Sequence, residues 1–238
     1  MQIALIGYGK MGKMIEETAV QRGHAIVLKI DKDNKEDFTN KNMAAVDVAI
    51  EFTAPDSAFQ NVKTCIDFGV PVISGSTGWN QDLDKAKQYC TEKGGAFLHA
   101  SNFSIGVNIF FEINQRLAQL MASQSEYDVI LKEIHHTQKL DKPSGTAVTL
   151  AEGILQHSTR KKTWTIEKAT DPTQLQIVCE RTDTAPGTHE VKYTSAIDDI
   201  EIIHTAHNRK GFALGAVLAA EFLQNKKGIF TMKDVLAF

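Results

Sequence analysis

Residues 133 to 147 read Glu-Ile-His-His-Thr-Gln-Lys-Leu-Asp-Lys-Pro-Ser-Gly-Thr-Ala, and no other stretch gathers as much chemistry. It holds two adjacent histidines, His135 and His136, two lysines, Lys139 and Lys142, and the turn Ser144, Gly145, Thr146. Histidine, with an ordinary pKa near ~6.5, is the easier proton donor at neutral pH. Lysine is a strong point charge and a weaker acid unless desolvated. The loop lies between a predicted strand and a predicted helix, and exposed N–H groups at a helix start bind carboxylates. This combination suits a small dicarboxylate that takes up a proton during reaction. In a continuing strand His135 and His136 would point to opposite faces, which predicts different roles for them. Out of context they would be surface histidines, and Ser-Gly-Thr a helix cap. There is no H-E-x-x-H pattern and no nearby cysteine, so no metal site is expected.

The rest of the chain decides between those readings. Ile3 to Ile6 is a short apolar run suited to a buried parallel strand. Gly7, Tyr8, Gly9, Lys10, Met11 and Gly12 then form a G-x-G-x-x-G, followed by a helical pattern to Gly23 and a second strand over residues 25–30. The glycines of such a loop allow a tight turn, close approach of a pyrophosphate, and close packing of the helix on the strand. The helix N-terminus offers N–H groups and partial positive charge to phosphate. Asp31 closes the second strand near the ~20-residue spacing expected of the acid that binds a ribose hydroxyl. Lys32 follows it, where a lysine could meet a 2′-phosphate. Together they point to use of both NADH and NADPH, although the next residues form a mixed-charge loop in which Lys32 could simply be solvated.

Strands are predicted over residues 46–52, 70–74 and 96–100, with helices from Pro55 to near Gly69 and over 81–93. Thr53 is the expected cap of the first of these helices. The alternation describes an open parallel sheet with helices on both faces, in which ligands bind beyond the carboxyl ends of the strands. After residue 104 the pattern changes. A helix over 105–122, a strand over 127–134, the histidine–lysine loop and a helix over 146–157 precede strands over 163–167, 175–180, 189–194 and 199–204. Residues 211–223 are apolar nearly all round, which predicts a buried helix. Residues 228–236 are expected to form a last short helix with Thr231 as its cap. The fold class expected is α/β: a Rossmann-type doubly wound parallel sheet plus a smaller α+β domain with a mixed sheet.

The chain has 238 residues, 42% hydrophobic and 23% charged, enough for one large or two smaller cores. A net charge of -3 gives no electrostatic argument for nucleic acid or an anionic membrane. Three scattered cysteines, an N-terminus that is already strand-like, and no long apolar run lead to the expectation of a soluble cytoplasmic protein.

The loop at 133–147 resembles the E-x-H-H-x-x-K-x-D-x-P-S-G-T-A signature of the dihydrodipicolinate reductase family. Also similar are Gly9 to Gly12, Phe52 to Pro55, Gly75 to Gly78, Ala100 to Gly106, His204 to Arg209 and Phe212 to Ala216. The resemblance runs the length of the chain. It implies reduction of 4-hydroxy-tetrahydrodipicolinate in the diaminopimelate route to lysine, with His135 and Lys139 as candidate proton donors and His136, Ser144, Gly145 and Thr146 as substrate binders. Cofactor contacts are implied for Gly7, Tyr8, Gly9, Lys10, Met11, Gly12, Asp31, Lys32, Phe52, Thr53, Gly75, Ser76, Thr77, Ala100, Ser101, Asn102 and Phe103. It further implies a homotetramer joined through the substrate domains. The nucleotide domain would be discontinuous (1–103 with 209–238), and residues 104–208 would form the substrate-binding and oligomerisation domain. Two departures stand out. The segment 157–186 is short and lacks the family's R-G-x-R and I-G-F landmarks, with Glu180 to Asp183 standing near them. The glycine loop is one residue tighter than in many relatives. A related amino-acid dehydrogenase, such as an aspartate dehydrogenase, or a non-catalytic redox sensor would share the cofactor unit. The intact loop argues against both.

Overall fold

A computed structural model describes residues 1–183 and 185–238. They divide into two compact units, residues 1–105 with 210–238, and residues 106–209.

The first unit opens with β1 (Gln2–Ile6), α1 (Lys10–Gln21) and β2 (Ala25–Ile30). Then follow α2 (Asn40–Met43), β3 (Val48–Glu51), α3 (Pro55–Asp67), β4 (Val72–Ser74), α4 (Asn80–Lys93) and β5 (Ala96–His99). Alternate residues of β1 feed two cores. Ile3 and Leu5 pack with Ile15 and Ala19 of α1 on one face. Ala4 and Ile6 pack with Ala58 and Val62 of α3 and Trp79 on the other. Burying each isoleucine, leucine or valine side chain among them contributes about 1.5–3 kcal/mol.

The second unit comprises α5 (Ile105–Met121), β6 (Asp128–His135), α6 (Gly145–His157), β7 (Thr163–Thr165), β8 (Gln174–Arg181), β9 (Thr188–Thr194) and β10 (Asp199–Thr205). Its sheet runs β10-β9-β6-β8-β7. β6 is parallel to β8 and antiparallel to β9, so the sheet is mixed. Val129 and Leu131 of β6 face a core made with Phe110 of α5 and Leu150 and Ile154 of α6.

The chain then returns to the first unit with α7 (Lys210–Leu223), β11 (Gly228–Phe230) and α8 (Met232–Leu236). The first sheet is thereby completed in the order β11-β5-β4-β3-β1-β2, with every pairing parallel. The order reverses between β1 and β3, which puts the ligand crevice of such a sheet beyond their carboxyl ends. Helix α7 is buried along much of its length. A Cβ added at Gly215 would collide with the Phe103 carbonyl, so only glycine fits there.

Three expectations need correction. Residues 228–236 are not one helix: Gly228, Ile229 and Phe230 pair with Ala96, Phe97 and Leu98, and the helix starts at Met232. Thr231 does open it, donating from N (2.7 Å) and Oγ1 (2.8 Å) to the Asp234 carboxylate. The N-cap of α3 is Ala54, because the Thr53 hydroxyl is taken by Glu51. The mixed-charge loop after β2 contains a 3-10 turn at Lys35–Asp37 and the short α2.

Candidate active site

The glycine loop leaves β1 at the point of strand-order reversal. Gly7 N donates to the Ile30 carbonyl (2.8 Å) and has φ +94°, a region that favours glycine. Its missing side chain leaves room for the Phe52 carbonyl, and that of Gly12 leaves room for the Gly7 carbonyl. Gly9 differs: a Cβ there would meet nothing within 4 Å. It is the N-cap of α1 and caps with no side chain. The first turn of α1 therefore faces an uncluttered space with its N–H groups unclaimed by any capping side chain, which fits a phosphate-bearing ligand.

The other expected cofactor residues stand on loops at the same sheet edge. Glu51, at the end of β3, is fully buried and ties two of them together. It accepts from Thr53 N (3.0 Å), from the Thr53 hydroxyl, from Ser76 Oγ (2.8 Å) and from the Ser74 hydroxyl. A Cβ at Gly75 would strike the Phe52 ring, which in turn packs on Phe103 at 5.7 Å between centroids. Phe103 is 2% exposed and is a core side chain. Asn102 Oδ1 accepts from Ser104 N (2.9 Å), while Thr77 and Ser101 are exposed and Ala100 is half-buried. Tyr8 hydrogen bonds to Glu16, which is ion-paired with Lys29 (2.7 Å). Lys10 is exposed and Met11 half-buried. Asp31 and Lys32 are exposed, and Asp31 Oδ1 accepts from Lys32 N (2.8 Å).

In the second unit β6 ends on the histidines. Its alternation puts Glu133 and His135 on the buried face with Val129 and Leu131, whereas His136 lies just past the strand and is half-buried. Glu133 is 0% exposed. It accepts from Ser144 N (3.0 Å) and from Arg181 Nη2 (2.9 Å). Burial works to raise its pKa, but those donors outweigh it and hold the carboxyl below its ordinary value. His135 is 6% exposed, with Nδ1 3.5 Å from Glu133 Oε2 but without hydrogen-bond geometry. Its ring stands edge-on to His189, 5.0 Å between centroids. Burial, with Lys139 and Arg181, lowers the His135 pKa against the pull of Glu133. Burial first, then His135, drives His189 down to about 3.

Beyond β6, Lys139 Nζ is paired with both oxygens of Asp141 (2.8 Å each). Ser144 caps α6: its Oγ accepts from Ala147 N (3.2 Å) and lies 3.1 Å from His189 Nε2. Gly145 is exposed, and a Cβ there would meet nothing within 4 Å. Thr146 is half-buried beside it. An open groove lined by His136, Thr137, Gln138, Asp183 and Arg209 adjoins this loop.

Three residues of this cluster carry no role in the sequence reading: Glu133, Arg181 and His189. The alternation of β6 could have placed Glu133. The other two arrive only through strand register, Arg181 opposite His135 and His189 opposite Glu133. Ligating atoms of Glu133, His135 and His189 lie within 4.8 Å of one another. Both Glu133 oxygens are already engaged by Ser144 and Arg181, and the adjacent guanidinium disfavours a cation.

Family models described as dihydrodipicolinate reductase, N-terminus, and dihydrodipicolinate reductase, C-terminus, match residues 1–103 and 106–236. The chain is 52% identical over 237 residues to a 4-hydroxy-tetrahydrodipicolinate reductase of Christiangramia forsetii, covering 100% of this chain and 98% of that one. It is 32% identical over 240 residues to the enzyme of that name from Thermosipho africanus, covering 99% and 98%. A dipicolinate-bound dihydrodipicolinate reductase from Paenisporosarcina sp. TG-14 shares the fold, with a TM-score of 0.77, 21% identity and 98% of each chain covered. The N-terminal unit is a nucleotide-binding Rossmann domain, which supports a pyridine nucleotide as the cofactor. The chain belongs to the dihydrodipicolinate reductase family and is an oxidoreductase of the diaminopimelate route to lysine.

Proposed function

We propose that this protein converts 4-hydroxy-tetrahydrodipicolinate to tetrahydrodipicolinate, with the 1–105/210–238 unit as the nucleotide half and the 106–209 unit as the substrate half. The observation that carries the reading is the assembly, within the second unit, of a buried neutral imidazole, an ion-paired lysine and the open glycine start of α6. The 4-hydroxyl leaves as water to give the unsaturated heterocycle, and reduced nicotinamide, when bound, would supply the hydride for its C4. Ser144, Gly145, Thr146 and His136 hold the substrate carboxylates. A proton then adds at C3 from Lys139 or His135. Burial keeps His135 neutral at pH 7, which favours Lys139 as donor and leaves His135 to orient the ring.

The glycine loop, Asp31, Lys32, Phe52, Thr53, Gly75 to Thr77 and Ala100 to Asn102 hold the dinucleotide, with Phe103 supporting Phe52 from the core. Asp31 beside Lys32 leads us to assign both NADH and NADPH as cofactors. The protein is a cytoplasmic homotetramer in this reading. Exposed Ile200 and Ile203 on β10 support association through the second sheet, and the three unpaired cysteines suit a reducing compartment. No helix among the described residues is long and apolar enough to cross a membrane.

The test is to follow oxidation of NADH and of NADPH after supplying the condensation product of pyruvate and aspartate semialdehyde. Substrate-dependent oxidation of both is expected. No oxidation with either overturns the function, and oxidation of one alone overturns the dual-cofactor reading. Light scattering tests the tetramer.

A further inference from the structure

Arg181, the last residue of β8, reaches three parts of the second unit at once. Its Nη2 donates to Glu133 Oε1 (2.9 Å) and to the Asp141 carbonyl (2.6 Å), and its Nε donates to the Lys139 carbonyl (3.4 Å). Nη1 is held by the Glu180 carbonyl (2.8 Å). The side chain is 9% exposed. A guanidinium spans such a set because its donors form a rigid planar fork, whereas an ammonium is a point charge. Among the described residues the loop it grips has few other ties: apart from the Lys139–Asp141 pair, Lys139 N donates to the His136 carbonyl (3.1 Å), and the Thr137 hydroxyl bonds Asp183 (2.5 Å).

We infer that Arg181 is a positioning residue for proton transfer: it fastens the Lys139–Asp141 turn to the buried carboxylate of Glu133 and so fixes where Lys139 stands relative to His135. The same Glu133 holds Ser144 N at the start of α6. One fork therefore sets the relation between the proton-transfer loop and the anion-binding turn. The inference rests on the roles proposed above for His135 and Lys139.

A role of this kind has an electrostatic consequence. The charged and titratable groups facing His135 are Glu133 on its own strand, Lys139 and Asp141 on the following loop, Arg181 on β8 and His189 on β9. The α6 start brings Ser144, which is neutral. Removing Arg181 deletes a cation that opposes protonation of His135 and leaves Glu133 free to favour it. The His135 titration then moves upward.

The experiment uses the full-length protein with R181M, R181K and the double variant E133Q/R181M. Turnover, KM, cofactor Kd and thermal midpoint are measured, and the His135 ring is titrated by NMR, assigned by its absence in H135N. R181M should lose at least tenfold in kcat with cofactor Kd within twofold, and its His135 titration should move upward. R181K should restore the titration but only part of kcat. E133Q/R181M should regain the thermal midpoint and not kcat. The inference is overturned if R181M keeps wild-type kcat and titration, or if its kcat loss tracks the midpoint and is recovered in the double variant. If the wild-type protein shows no substrate-dependent cofactor oxidation, the proposed function falls, and the His135 titration still decides whether Arg181 holds this site.

Discussion

Helices α1 and α6 both begin beyond a strand end with a glycine whose missing Cβ would meet open space. Around them the two starts are built differently. Gly9 is itself the N-cap of α1, with no side chain closing the first turn. At α6 the cap is Ser144, whose N–H is held by Glu133 and whose hydroxyl accepts from Ala147 N beside His189. A bare start leaves N–H groups available to a group with many oxygens, such as a diphosphate. A start already partly satisfied and gripped from below is a positioned donor set for a smaller anion. In the proposed function the same element of secondary structure serves two ligand sizes, according to what the residue before it carries.

The largest effect expected concerns the α6 half. Lys139→Met should lower kcat by about 10²–10⁴-fold, the range of a lost general acid, with cofactor Kd within twofold; near-normal turnover in a steady-state assay would remove Lys139 from the chemistry. Next, Gly9→Val should weaken cofactor binding by about tenfold or more in a fluorescence titration. Its thermal midpoint should barely move, because a Cβ there meets no protein atom within 4 Å. An equal loss of stability would mean that the bare start is a packing feature. Ser144→Ala should cost about 1 kcal/mol of stability through the lost cap. It should also raise substrate KM while leaving the cofactor Kd alone, and a change in cofactor Kd instead would erase the contrast between the two helices.

The last effect is a pH slope. His189, held down to about 3, stays neutral in the folded protein while an unfolded histidine protonates below ~6.5. The unfolded state then binds the extra proton, so stability is full above ~6.5 and falls as pH drops from there toward 3, by at most about 1.4 kcal/mol per pH unit for that proton. His135 adds to the slope in the same direction. Denaturant melts of wild type and His189→Gln between pH 7 and 4 check it. The variant should show the shallower fall, and parallel curves would place the acid sensitivity elsewhere.

Much of this contrast was legible in the chain. The glycine loop, the strand–helix alternation and the Ser-Gly-Thr turn are local patterns, written in neighbouring residues. Glu133 was half legible, since a period of two along β6 puts it on the face of Leu131. Arg181 and His189 were not, because they meet the site through the register of β8 and β9 against β6, which is set by pairing across more than 40 residues. Thr53 misled as a cap because a competing acceptor, Glu51, lies two residues before it. The strand at 228–230 was missed because three residues carry no period, and their partner edge on β5 lies far away in sequence.

That last strand bears on how the protein is made. The sheet of residues 106–209 has all its strands before residue 210 is synthesised. The first unit waits for Ala213 to Leu223 to cover Ile3, Leu5 and Val48, and for β11 to pair with the open edge of β5. On the ribosome, with chains growing at about 5–20 residues per second, the half that starts first finishes last. A premature stop after residue 209 would leave the 106–209 unit with its full set of strands, while the nucleotide-binding unit would lie uncovered on one face.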